Sequence, residues 1–172
     1  PPRSTQSRSS AASDVYKRQV LPNDTNNLNN LMGGRLLHWM DIATAIAAHR
    51  HCGRIVVTAA VNNVSFTKAI PAGSIVTLEA KVTRAFTSSM EVIVDVWMEN
   101  NQHRGKVKCN EAIYTFVAVD QLGNPIDVPG LIAETEEEKS RFTAALRRRQ
   151  LSLVISGRMK PSEATELKAL FN

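Results

Sequence analysis

One carboxylate stands out in the chain. Asp41 sits inside the run RLLHWMDIATAIAAH (35–49), which is otherwise dominated by Leu, Trp, Met, Ile and Ala. Apolar surroundings raise the pKa of a carboxyl group and disfavour its charged form unless water or a partner reaches it. Such a group suits a general base or a nucleophile, and perturbed carboxylates mark functional sites. The alternative is that Asp41 lies on the one wet stripe of its helix. Just upstream are Asn26 and the pair Gly33-Gly34. Glycines at a helix N-terminus expose unpaired backbone N–H groups where the dipole favours negative charge, which suits an oxyanion. A turn-forming loop would use the same residues.

Other chemistries find little support in the sequence. The histidines His38, His49, His51 and His103 lack the converging partners of a zinc site, so no metal is expected. Cys52 and Cys109 are far apart with no Cys-x-x-Cys, which argues against a disulfide scaffold.

The elements that must carry these residues follow from periodicity. Leu36, Met40, Ala43 and Ala47 recur at helical spacing over 35–49, with Leu37 and Ile46 widening the stripe, so this helix is expected to be buried on nearly all sides. The period then changes to two. Residues 55–61 are a short β-branched run, 74–83 alternate Val76, Leu78, Ala80 and Val82 against polar residues, and 89–99 alternate likewise. Residues 111–119 read as a central or interface strand. Thr135 and Glu138 form a capping box that opens a helix through about Arg149, and a shorter helix follows Pro161-Ser162. The fold class is therefore α+β, a long central helix wrapped by a curved antiparallel sheet, with a helical C-terminal extension over 131–172.

The chain has 172 residues and formal net charge +5, with sequence pI near 9.5. The excess charge sits at the ends. Residues 21–130 hold as many basic as acidic side chains. With aromatics at 5%, there is little on which to stack bases, so no nucleic-acid partner is expected. No apolar run has the length of a membrane helix, and none is expected to contact a membrane. Residues 1–19, rich in Ser and Arg and without periodicity, read as a disordered, non-native leader outside the domain.

Several motifs occur in order: Asp24-Thr25-Asn26, Gly33-Gly34-x-Leu36-Leu37-x-Trp39-Met40-Asp41, Val57-Thr58-Ala59, Val64-Ser65-Phe66, Pro71-x-Gly73, Thr87-Ser88-Ser89-Met90-Glu91-Val92, and Phe116-Val117-Ala118-Val119-Asp120 with Gly123-x-Pro125. Over 20–130 the chain resembles the hotdog-fold acyl-CoA thioesterases of the cytosolic, broad-specificity type. The resemblance implies a hotdog domain at 20–130 that hydrolyses acyl-CoA to fatty acid and coenzyme A. It implies an obligate homodimer, commonly assembled as a trimer of dimers, with the site at the interface. By the same resemblance Asp41 matches the catalytic carboxylate, Asn26 the asparagine contributed by the opposite subunit, and Gly34 the backbone donor that polarises the carbonyl. Thr58, Ser88 and Ser89 match the pantetheine and active-site walls, with Gly33 beside them.

A thioester has an electrophilic carbonyl and a good leaving group, so one carboxylate suffices as base or nucleophile. Coenzyme A phosphates need cations, for which Arg84, Arg104, Lys106 and Lys108 are candidates. No cofactor is expected beyond the coenzyme A of the substrate, and the location implied is cytoplasmic. The stretch 27–32 departs from the family pattern, in which a glycine often follows the asparagine block. A non-catalytic acyl-CoA-binding module is the alternative function. A hydratase ranks below both, because Ile46 stands where that chemistry needs a histidine.

Overall fold

A computed structural model describes residues 9–62 and 64–171, and the side chains of all of these except 9, 10, 103 and 104. The strands are β1 (Ser9–Ser10), β2 (Ser13–Gln19), β3 (Ile55–Asn62), β4 (Ile75–Ala85), β5 (Ser89–Asn100), β6 (His103–Val119) and β7 (Leu131–Ile132). The helices are α1 (Gly33–Cys52), α2 (Glu136–Ile155) and α3 (Thr165–Lys168). Strands β2 to β6 form one antiparallel sheet in the order β2-β4-β5-β6-β3, while β1 and β7 make a short parallel pair.

The sheet curves around α1. From the sheet come Val76, Leu78, Val82, Val92, Val94, Tyr114 and Phe116, and from the helix Leu36, Met40, Ala43 and Ala47, all buried together. Each large apolar side chain withdrawn from water contributes roughly 1.5–3 kcal/mol. The alanines of α1 let it sit close to the strands. Tyr114 of β6 donates a 3.2 Å hydrogen bond from its hydroxyl to the carbonyl of Leu37, pinning α1 to the sheet. Gly53 ends the helix at φ 63°, a left-handed position where a side chain would be strained.

The outer face of the sheet carries charge instead. Glu91 and Asp95 point outward from β5 and are buried by α2. Arg148 grips Glu91 with two hydrogen bonds of 2.9 and 2.7 Å, and Arg141 reaches Asp95 at 3.0 Å. The capping box at Thr135 and Glu138 is present, and Lys81 of β4 pairs with Glu138. The helix runs on to Ile155, one and a half turns beyond the expected end at Arg149.

The expectation for residues 1–19 is corrected in part. Ser13–Gln19 is an ordered edge strand in register with Ile75–Lys81 of β4, so the sheet includes it, and Arg50 of α1 pairs with Asp14. Its sequence, SDVYKRQ, lacks an apolar alternation because an edge strand needs few buried side chains and is protected by charge. Residues 1–8 lie outside the described residues.

Candidate active site

Asp41 lies in the third turn of α1 and is half-buried. The β3 strand crosses beside it, and Thr58 Oγ1 donates a 2.8 Å hydrogen bond to Asp41 Oδ1. The register of β3 against β6 slips between Thr58 and Ala60, so Ala59 forms a bulge. A bulge re-aims the side chains next to it. Here Thr58 turns toward α1, while Ala60 and Asn62 turn to the outer face together with Thr115 and Ile113. The bond satisfies one oxygen of Asp41, and among the described residues no hydrogen bond reaches the other.

A cavity of about 550 Å³ opens at this point, lined by Gly34, Leu37, His38, Asp41, Val61, Val64, Phe66 and Tyr114. Its walls are largely apolar, with Asp41, His38 and Tyr114 as the side chains that carry polar groups. The N-cap of α1, Met32, supplies no side-chain hydrogen bond, so the first amides of the helix have no cap. Gly34 lines the cavity, and a side chain there would meet nothing within 4 Å. At Gly33 a Cβ would come 3.2 Å from Phe66 Cζ, because that ring packs over the start of the helix. The glycine pair thus leaves room for Phe66 at Gly33 and an uncrowded helix start at Gly34.

Burial, reinforced by the charge of Asp41, holds the Tyr114 hydroxyl protonated, with its pKa pushed up to about 12. It therefore acts as a hydrogen-bond donor at any ordinary pH. Tyr114, His38 and Phe66 were missed as site residues by sequence reasoning. Tyr114 did carry a signal, since a tyrosine within an apolar strand needs a partner for its hydroxyl.

Asn26 is not part of this cavity. Its Oδ1 accepts hydrogen bonds from the amides of Leu28 at 2.9 Å and Asn30 at 3.2 Å, closing the loop ahead of α1. Asn29 in that loop has φ 57°, so an asparagine occupies a left-handed position of the kind glycine usually fills. The buried Asp24 anchors the loop: its carboxylate accepts from Leu21 N at 3.0 Å and pairs with Arg35 Nε at 3.2 Å.

The other candidates lie elsewhere. Ser88 and Ser89 line a separate cavity on the outer face, under α2. Arg84 stacks on Phe142 at 3.9 Å and donates to its carbonyl, and its burial lowers the guanidinium pKa. Lys106 is paired with Glu79 at 3.1 Å. Lys108 is held by Asp95 at 2.6 Å and Glu111 at 2.7 Å; burial opposes its charge, but the two carboxylates outweigh this and raise its pKa. These three cations are already engaged on the sheet, and none lines the Asp41 cavity. Arg104 lies in β6, with its side chain outside those described. No group of three or more metal-ligating side chains occurs among the described residues, and no described helix is long and apolar enough to cross a membrane.

Known proteins are similar to this chain in sequence and fold. Residues 28–103 match the family model of the Thioesterase superfamily. A Bacillus subtilis (strain 168) protein described as an uncharacterized acyl-CoA thioester hydrolase is 42% identical over 134 residues, covering 78% of each chain. Acyl-CoA hydrolase from Staphylococcus aureus, solved in complex with butyryl coenzyme A and coenzyme A, superposes with TM-score 0.77 at 36% identity over 85% of this chain and 91% of its own. An apo-hexameric acyl-CoA thioesterase gives TM-score 0.77 at 36% identity, covering 80% of this chain and 88% of its own. The Staphylococcus enzyme has also been studied as single alanine variants of an asparagine, an aspartate and a threonine, spaced at the same intervals as Asn26, Asp41 and Thr58. By sequence and by fold, the chain belongs to the thioesterase superfamily, among the hotdog acyl-CoA thioester hydrolases.

Proposed function

We propose that the chain hydrolyses acyl-CoA thioesters with Asp41 as the reacting carboxylate, in an oligomer whose partner subunit completes the site. The observation that carries this is the hydrogen bond from Thr58 to Asp41, which lines a largely apolar cavity together with Gly34 of the uncapped helix start. The acyl chain occupies the cavity and brings its carbonyl to the start of α1. The free oxygen of Asp41 takes the proton of a water that adds to the carbonyl carbon, or itself adds to that carbon. The amide of Gly34 stabilises the charge that develops on the carbonyl oxygen. Collapse of the intermediate breaks the C–S bond. On the first route it releases fatty acid and a coenzyme A thiolate that takes the proton from Asp41. On the second it releases the thiolate and leaves an acyl–Asp41 anhydride, which water then cleaves to fatty acid and the free carboxylate, its proton passing to the thiolate.

Asn26 assists from the partner protomer. Its exposed loop does not line its own Asp41 cavity, and the hexameric assembly of a relative supports a shared site. The sheet edge at β3 suits pairing, with Ile55 56%, Val57 47% and Val61 42% exposed.

The test is thiol release from a panel of acetyl- to palmitoyl-CoA. Asp41→Ala is expected to lower kcat by about 10²–10⁴ with an unchanged circular dichroism spectrum. Undiminished turnover in that variant would remove Asp41 from the chemistry. Tight acyl-CoA binding without hydrolysis by the wild type would favour the non-catalytic reading.

A further inference from the structure

We propose that the groove between α2 and the outer face of the sheet binds an organic phosphate, held by Arg149 and Arg158. The groove encloses about 320 Å³, within the range of small-ligand sites, and its lining includes Ser88, Glu91, Arg148, Arg149, Ser152 and Arg158. Glu91 is the acidic member of that lining, and both its oxygens are taken by Arg148. The two remaining arginines therefore give the groove a net positive charge.

Their partners set them apart from five other cations of the sheet and α2. Lys81, Lys106, Lys108, Arg141 and Arg148 each end on a carboxylate. Arg149 instead stacks near the Phe86 ring at 5.5 Å, an arrangement that orients the guanidinium without using its N–H donors. Arg158 donates only its Nε, to Ser156 Oγ at 3.1 Å. Among the described residues, neither has an ion-pair partner. Two planar forks with free donors, beside the hydroxyls of Ser88 and Ser152, fit phosphate oxygens.

The position gives the ligand its context. Ala59 and Ala60 of the β3 bulge line this groove, while Thr58 beside them faces Asp41 on the inner side. One strand thus separates the reacting carboxylate from the phosphate groove. Arg149 and Arg158 lie beyond residues 28–103, the part matched by the family model, so the C-terminal extension supplies the site. The phosphates are those of the substrate's coenzyme A or of a free nucleotide. The first source rests on the hydrolase reading; the phosphate chemistry does not.

Titration calorimetry of the full chain with coenzyme A, ADP and pantetheine tests this. Arg149→Ala and Arg158→Ala are each expected to weaken coenzyme A and ADP binding about tenfold. Pantetheine binding should be unchanged, as should all binding by Arg54→Ala, a control at an exposed arginine. Lysine at either position, which keeps the charge but loses the fork, should recover part of the affinity and controls for folding. A raised KM for acyl-CoA but not for acyl-pantetheine, at constant kcat, identifies the substrate as the source. Weakened ADP binding with an unchanged acyl-CoA KM identifies a free nucleotide. Equal coenzyme A and ADP affinity in wild type and both alanine variants overturns the proposal. A wild type that turns over no thioester would refute the hydrolase reading alone, because the titrations read the groove without turnover.

Discussion

Thr58 on β3 and Asp41 on α1, 17 residues apart in sequence, are joined by a 2.8 Å hydrogen bond across the junction of helix and sheet. The bond orients one oxygen of a carboxylate that lines the cavity. Thr58→Val keeps the shape and removes the donor. It is expected to lower kcat about tenfold while moving the melting temperature little, since Thr58 is exposed. Steady-state kinetics beside a thermal melt check this; an unchanged kcat would mean that the bond does not orient the reacting group.

Gly34 offers a cleaner test of the backbone donor. Proline is tolerated in the first turn of a helix, where it removes an N–H that has no intrahelical partner. Gly34→Pro is expected to lower kcat by about 10²–10³ with the fold retained. Gly34→Ala keeps the amide and places its methyl in open space, so its kcat should stay near wild type. Equal kcat values for the two variants would argue against an amide acting on the carbonyl oxygen.

The shared site predicts complementation. Asn26→Ala and Asp41→Ala proteins, each weakly active alone, should regain part of the wild-type rate when unfolded together and refolded as mixed oligomers. Each mixed dimer would retain one intact Asn26–Asp41 pair. A mixture no more active than its components would place both residues in the same protomer's site.

The clamp of α2 onto the sheet predicts an acid dependence of stability. The hydrogen bond from Lys81, together with the amides of Glu134 and Thr135, lowers the Glu138 pKa from 4.5 to about 2. A depressed folded-state pKa contributes stability that is present above about 4.5 and is lost as pH falls toward about 2. Asp95 adds to the same window: burial opposes its ionisation, but Lys108 and Arg141 lower its pKa on balance. Glu138→Gln should therefore lower stability at neutral pH and flatten its decline in acid, as read by urea unfolding between pH 2 and 6. A slope equal to that of the wild type would mean the ion pair adds nothing to the clamp.

Local pattern made much of this legible. The alternation of Val76, Leu78, Ala80 and Val82 specifies a strand with one buried face, and the spacing of Leu36, Met40, Ala43 and Ala47 specifies the helix it wraps. Thr135 and Glu138 marked the start of α2 to the residue, because a capping box is a contact between near neighbours. The Ser13–Gln19 strand escaped notice, since an edge strand needs no alternation of its own.

The site divides in the same way. The residue types of Asp41, Asn26 and Gly33-Gly34 announced a carboxylate beside an open helix N-terminus, because the types and the helix are properties of the chain itself. What tertiary structure alone decided was company. It brought Thr58 to Asp41 through a one-residue bulge, set Tyr114 and Phe66 around the cavity, and tied Lys106 and Lys108 to carboxylates. It left Arg149 of α2 and Arg158 just beyond that helix facing a groove. The physical reason is that a charge's role depends on which opposite charge lies within a few ångströms, and strand register and helix docking set that distance.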